Sequence, residues 1–273
     1  MKPMAKDERP PILLNKHHRD ASVFHPENLL REARRQKGIT IGEVPDVCLL
    51  DPDGDIVRWL FANDMAKRSP HWACYHTNLF TFDSEGRRVG VIGNAVGASF
   101  AVLLAEQLFA SGCKLLVSIT SAGSIAPDIE PPCFVLIDKA LRDEGTSYHY
   151  LPPAEFAHAS PIILSKLDRA FKDHSLSVYR GAAWTTDAPY RETDAAIATH
   201  RENNILAVEM EAAALYAFAE ARNKPVVCFA HITNQMASQG DDFEKGEADG
   251  VLASLTVFNT AVSALIADRS VLD

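Results

Sequence analysis

Short apolar runs alternate along the chain with stretches in which apolar residues recur every three or four positions. A short apolar run bounded by turn residues reads as a buried strand, and the three-to-four spacing reads as an amphipathic helix. On this basis "DVCLL" (46–50) is a strand, "DPDGD" (51–55) a turn, and the next segment a helix with Ile56, Val57, Leu60 and Phe61 on one face. "RVGVIGNA" (88–95) is a second strand. It leads into a helix over 97–111, with Phe100, Leu103, Leu104 and Leu108 on its stripe and Gly112 as its C-cap. Further strands are expected at 114–125, 133–141 and 225–233. "LAVEM" (206–210) leads into a helix over 211–222, and a closing helix over 249–267 repeats Val251, Leu255, Phe258, Val262 and Leu265. Strands alternating with helices predict an α/β fold, a single three-layer α/β/α domain around a mixed, largely parallel sheet. Residues 1–22, rich in Pro and charge, are expected to form a flexible lead to a domain spanning 23–273.

Composition narrows the function classes. With 36 acidic against 27 basic residues the net charge is −9, which argues against a nucleic-acid partner. The densest basic stretch, "REARRQK" (31–37), reads as a solvated helix face. The apolar region 89–119 is interrupted by Asn94, Glu106, Gln107 and Lys114, so no membrane span is expected there, and "MKPMAKDERPP" lacks an apolar signal core. Five cysteines, at 48, 74, 113, 133 and 228, have no CxxC or metal spacing. Buried thiols in a reducing compartment, the cytoplasm, are the expectation, with no metal and no cofactor.

In an open α/β sheet, ligands sit beyond the carboxyl ends of the strands. Three such ends carry small or polar residues: "GNAVG", "TSAGS" and "VEME". The last places Glu209 and Glu211 in an apolar run without a cation. If the strand extends through them, alternation aims both at one spot, where vicinal hydroxyls of a sugar would satisfy them. Alternatively Glu209 caps a neighbouring loop and Glu211 opens the next helix. "TSAGS" offers backbone amides and the missing side chain of Gly123 to a flat or anionic ligand. His149 and Arg142 in "LRDEGTSYHY" are either functional or structural, and Arg191 in "TTDAPYRET" reads either a carbonyl or a neighbouring acid.

Taken together, "TSAGSI", "EGTSYHYLPP", "TTDAPYRET" and "VEMEAAAL" closely resemble, in this order, segments of the nucleoside phosphorylase family, and within it the uridine-cleaving branch. "SVFHPENL" and "HITNQM" add to that resemblance. It implies N-ribosyl bond cleavage, foremost phosphorolysis of a uridine-like nucleoside. It further implies a homo-oligomer (a dimer, or a hexamer built as a trimer of dimers), with phosphate as the only co-substrate. By resemblance Glu211, Glu209, Met210 and Ser121 face ribose, with His25 reaching in from a neighbouring subunit. Arg191, Tyr190, Ala122, Gly123 and Asn234 face the base, with Arg191 and Glu211 the catalytic pair. One departure stands out. The family holds phosphate with a Gly-Asp-Pro-x-Arg loop, a strand Arg and a partner Arg. Here Leu50 and Gly54 replace the loop's Gly and Arg, Ser118 replaces the strand Arg, and Tyr75 or His76 stands near the third. Phosphate would need substitutes among Arg58, Arg142, His71 and His76, with Asn94, Gly54 and Ser121 lining the pocket. Otherwise water is the nucleophile, or the chain binds a nucleoside without turnover.

Overall fold

The computed structural model describes residues 9–235 and 245–267, so residues 1–8 of the expected lead lie outside it. In chain order the elements are α1 (Pro26–Lys37), β1 (Val47–Asp51), α2 (Asp55–Ala62), β2 (Lys67–Arg68), β3 (Phe80–Ser84) and β4 (Arg87–Gly93). There follow α3 (Ala98–Ala110), β5 (Leu115–Ser124), β6 (Cys133–Asp143), α4 (Ser147–Tyr150), β7 (Phe156–His158) and α5 (Pro161–Phe171). The chain continues through β8 (Val178–Thr186), α6 (Asp194–Glu202), β9 (Ile205–Glu209), α7 (Ala212–Arg222), β10 (Val226–Gln235) and α8 (Val251–Ile266).

One mixed sheet holds all ten strands. It is parallel at its centre, where β1 pairs with β4 and β5, and β5 with β10. From β10 the path runs through β6, β8 and β9, and β9 then meets β5 antiparallel at Gly123↔Val208 and Ser124↔Ala207. Those five strands close on themselves, and β1, β4, β3 and β2 continue as an open wing. Closure brings the ends of β5 and β9, far apart in sequence, to the same rim. Helices α1, α3, α4 and α7 cover one face, and α2, α5 and α8 the other. The architecture is the single-domain α/β/α arrangement expected.

The helix faces differ from expectation in two places. On α2, Ile56, Val57 and Leu60 are buried, but Phe61 is 45% exposed and meets Phe80 edge-on at 4.6 Å. On α3 the buried side carries Ala101, Leu104, Ala105 and Leu108, whereas Leu103 is 36% exposed and Phe100 is half-buried. The reason is α7, whose alanines let the two helices approach closely, so the small residues of α3 face inward. The closing helix buries Val251, Phe258, Val262 and Leu265 as expected. It is also long and apolar enough to cross a membrane by length and composition, but its apolar face packs on α2 and α5. Periodicity reading assigned no element to β3, α5 or α6, although Ile163, Leu164, Leu167 and Phe171 form a legible stripe on α5. Within the expected lead, Lys16 and His18 hydrogen-bond His149 and the Tyr148 carbonyl. All five cysteines are buried free thiols.

One side chain bridges the place where the pairing of β6 and β10 ends. Tyr216 of α7 is fully buried; its hydroxyl donates to the Ile137 carbonyl at 2.5 Å and accepts from the Cys228 amide at 3.1 Å. Two buried backbone groups of neighbouring strands are thereby paired through one hydroxyl. Tyr216→Phe should therefore lower stability by about 1–3 kcal/mol in chemical denaturation, the cost of orphaning buried polar groups. A midpoint equal to that of the unaltered protein would refute this role.

Candidate active site

The two carboxylates of "VEME" have different surroundings. Glu209 ends β9, and its side chain turns back over the start of α7. One oxygen accepts the Glu211 and Ala212 amides, both at 2.7 Å, and the other accepts the Thr185 hydroxyl. Both oxygens thus have protein donors, and Glu209 acts in this structure as an internal cap of α7. Glu211, the N-cap residue of α7, is 1% exposed. One oxygen accepts the Gly97 amide at 2.7 Å, while Oε2 has no partner. Burial raises the pKa of both groups above the ordinary carboxylate range, and the neighbouring Glu209 charge raises that of Glu211 further. The Gly97 amide and the nearby Thr120 hydroxyl act in the opposite direction. Met210 between them is half-buried.

The Gly97 amide reaches Glu211 because the loop after β4 turns sharply, with Asn94 at φ 60 and Gly97 at φ 93. Asn94 is exposed on this loop beside Gly54, where an added Cβ would stand 2.5 Å from its Oδ1. Gly54 (φ 76) is therefore required both for its backbone and for the close approach.

Next to this lies the turn "DPDGD". Asp51, 2% exposed, accepts the Gly54 and Val57 amides at 3.1 and 2.9 Å and thereby shapes the entry to α2. Burial pushes its pKa up to about 7. Asp53 reaches across to β5, where its carboxylate accepts the Ser121 amide at 2.7 Å. Asp55 pairs with Arg58 and, at 2.6 Å, with Lys245. Arg58 also donates to the Asp53 carbonyl at 2.9 Å. Ser118, buried on β5, has an unpartnered hydroxyl.

The expected phosphate substitutes do not gather here. Arg142 is buried and donates to the Ser147 hydroxyl and to the Leu151 and Pro152 carbonyls, so it organises the "EGTSYHYLPP" segment. Glu144 beside it caps the Thr146 and Ser147 amides instead of pairing with Arg142. His71 packs on Gly42, and His76 is exposed beside Tyr75. Among the described residues neither hydrogen-bonds the Asp51–Arg58 turn.

On the base side, Ala122 and Gly123 are buried on β5, and Asn234 of β10 lies in register with Gly123. Arg191 and Tyr190 sit in an exposed single turn, Pro189–Arg191, with Tyr190 99% exposed. Arg191 makes no ion pair with Glu192 or Asp187, and Asp187 instead accepts the Gly145 amide at 2.9 Å. His25, the N-cap residue of α1, is exposed on a groove of about 610 Å³ that also includes Phe24, Ser99, Leu103 and Glu106.

Sequence reading missed three contributors, namely Asp53, the Gly97 amide and Lys245. Asp53 carried a signal, since three aspartates alternate through "DPDGD" where the resembling loop has one. Nothing in the sequence identifies which backbone amide closes on Glu211.

Comparison with known proteins bears on the family and the fold. Residues 56–267 match the family model of the phosphorylase superfamily. A guanosine phosphorylase of Halorubrum lacusprofundi is 24% identical over 188 residues, covering 66% of this chain and 78% of that one. A DeoD-type purine nucleoside phosphorylase of Bacillus cereus is 30% identical over 142 residues, covering 51% of this chain and 60% of that one. Among solved structures, a uridine phosphorylase from Vibrio fischeri superposes with a TM-score of 0.65 at 19% identity, covering 85% of this chain and 96% of that one. The chain belongs to the phosphorylase superfamily.

Proposed function

We propose that this chain cleaves the N-ribosyl bond of a nucleoside with water as the acceptor. The observation that carries the choice of water is Asp53 on the Ser121 amide, because the chain's own carboxylate fills the anion-accepting position of "TSAGS". A phosphate dianion would have to displace it beside Asp51 and Asp55. Among the described residues, the cations bonded to this turn are Arg58 and Lys245, and both are committed to Asp55. A like-charge contact at 4 Å costs roughly 1 kcal/mol in water and about 4 kcal/mol near a protein surface, per pair. Phosphorolysis is the second reading, and the activities named for the relatives favour it.

On the hydrolytic reading the unpartnered Oε2 of Glu211 accepts ribose hydroxyls and stabilises the positive charge that builds on the sugar as the bond breaks. The water oxygen bonds C1′, the C1′–N pair leaves with the base, and Asp53 takes the water's proton. Arg191, which makes no ion pair among the described residues, meets the developing negative charge on the base. Asn234 offers a neutral amide rather than a proton-donating acid, which suits a carbonyl-bearing pyrimidine. His25 and its exposed neighbours Val23 and Phe24 supply a surface for a second copy of the chain, consistent with a homo-oligomer.

The following outcomes test this reading. With a nucleoside panel, the rate should be unchanged by phosphate and the sugar product should be free ribose; ribose 1-phosphate formed at a saturable rate would establish phosphorolysis instead. Glu211→Gln should retain the fold and lower kcat/KM by about two orders of magnitude or more. Glu209→Gln should chiefly lower the melting temperature. Because Glu211 must be ionised to accept hydroxyls and its pKa is raised, kcat/KM in the unaltered enzyme should still be climbing with pH above the ordinary carboxylate range. A plateau reached by pH ~5 would contradict that assignment. Sedimentation at assay concentration should show at least a dimer, and an active monomer would exclude a role for His25 across subunits.

A further inference from the structure

Beneath Ser121 lies a cavity of about 10 Å³ whose lining includes Asp53, Asp55, Ser121, His231 and Ser254. That volume is close to the lower limit for a single water, and the walls supply the two to four polar partners a buried water needs. His231 of β10 stands in register with Ser121 of β5, so one ladder position carries both the amide that holds Asp53 and the imidazole.

The imidazole is fixed on two sides. It stacks on Phe134 with centroids 4.5 Å apart and planes 9° apart. Against its edge stands Gly250 (φ 77), where a Cβ would lie 2.1 Å from the ring's Cε1. A side chain held this closely and only 4% exposed would be expected to have its nitrogens paired. Nε2 has no protein partner. The surrounding charges are Asp51 at the end of β1, Asp53, Asp55 and Arg58 at the entry to α2, and Lys245 and Asp249 ahead of α8. Burial, and after it Lys245, holds the pKa of His231 down to about 4, so the ring is neutral near pH 7 and presents one lone pair and one N–H.

We propose that Nε2 of His231 holds one water against the Asp53 carboxylate, which makes His231 the positioning residue for the proton acceptor of the hydrolytic step. The inference rests on the hydrolytic reading above. Its physical content is that Asp53 accepts the Ser121 amide on one side and this water on the other. It is thereby held aimed at the site although it lies among other acids.

Removing the imidazole's polar edge should dry the cavity and desolvate Asp53, which favours its protonated form. His231→Phe is expected to lower kcat about tenfold or more, to leave KM within about twofold, and to move the acid limb of the kcat profile upward by about one pH unit. His231→Gln, whose amide reaches the Nε2 position, should restore most of the rate and return the limb. A merely structural histidine would change the melting temperature without moving the limb, so a folded His231→Phe protein with an unshifted limb overturns the proposal. Nitrogen-15 NMR of the histidine rings in the full chain provides a second test that does not need the Phe variant to fold. Asp53→Asn should shift the His231 ring resonances, and an unchanged His231 spectrum overturns the proposal. If the unaltered protein yields ribose 1-phosphate, the hydrolytic reading fails by itself, and the NMR comparison still decides whether His231 and Asp53 share a water.

Discussion

A carboxylate withdrawn from water without a cation must be met by dipoles, and the junction of β9 with α7 is built on that requirement. Glu209 takes two amides from the first turn of α7 and a hydroxyl from β8, so it fixes the strand-to-helix turn from inside. Once that turn is set, the next acid along, Glu211, is presented at the rim of the closed sheet with one oxygen bound to Gly97 and one unpartnered. The arrangement needs β9 beside β5 and the β4–α3 loop overhead, so it depends on the closure of the five-stranded ring. A free carboxylate oxygen in a dry crevice is a poor resting state and a good receptor for hydroxyl donors.

The strands and helices near this rim were largely legible because their residues are buried on one face or on both. "DVCLL", "KLLVSITSAGSI" and "CFVLIDKAL" are apolar runs because both sides of the central sheet are covered. The stripe on α3 misled, because periodicity ranks large apolar residues above small ones and cannot sense that α7 presents alanines. The identity of Glu211 was legible from its segment. The division of labour between Glu209 and Glu211 was not, since alternation along an extended strand aims both the same way and only the turn after Glu209 separates them. Asp53 and His231 were illegible as partners because they lie 178 positions apart and meet through a strand pairing.

The nucleophile side has an inverted charge. A strand-to-helix turn offering amides is suited to anions. In this chain the turn carries Asp51, Asp53 and Asp55, and these acids consume the available amides and cations themselves. What remains is a place for a neutral, polar, small molecule with protons to give. On the hydrolytic reading that molecule is water, which brings no further negative charge beside the three acids.

The turn that carries Asp53 also acts on the sugar side. After burial and the neighbouring Glu209 charge, the Asp53 charge adds to the rise in the pKa of Glu211. In the empty crevice burial favours protonated Glu211. Ribose hydroxyls donating to Glu211 favour its ionised form. On the hydrolytic reading, sugar binding therefore delivers negative charge toward the oxocarbenium-like centre when a substrate is present to be attacked, without any movement of the backbone.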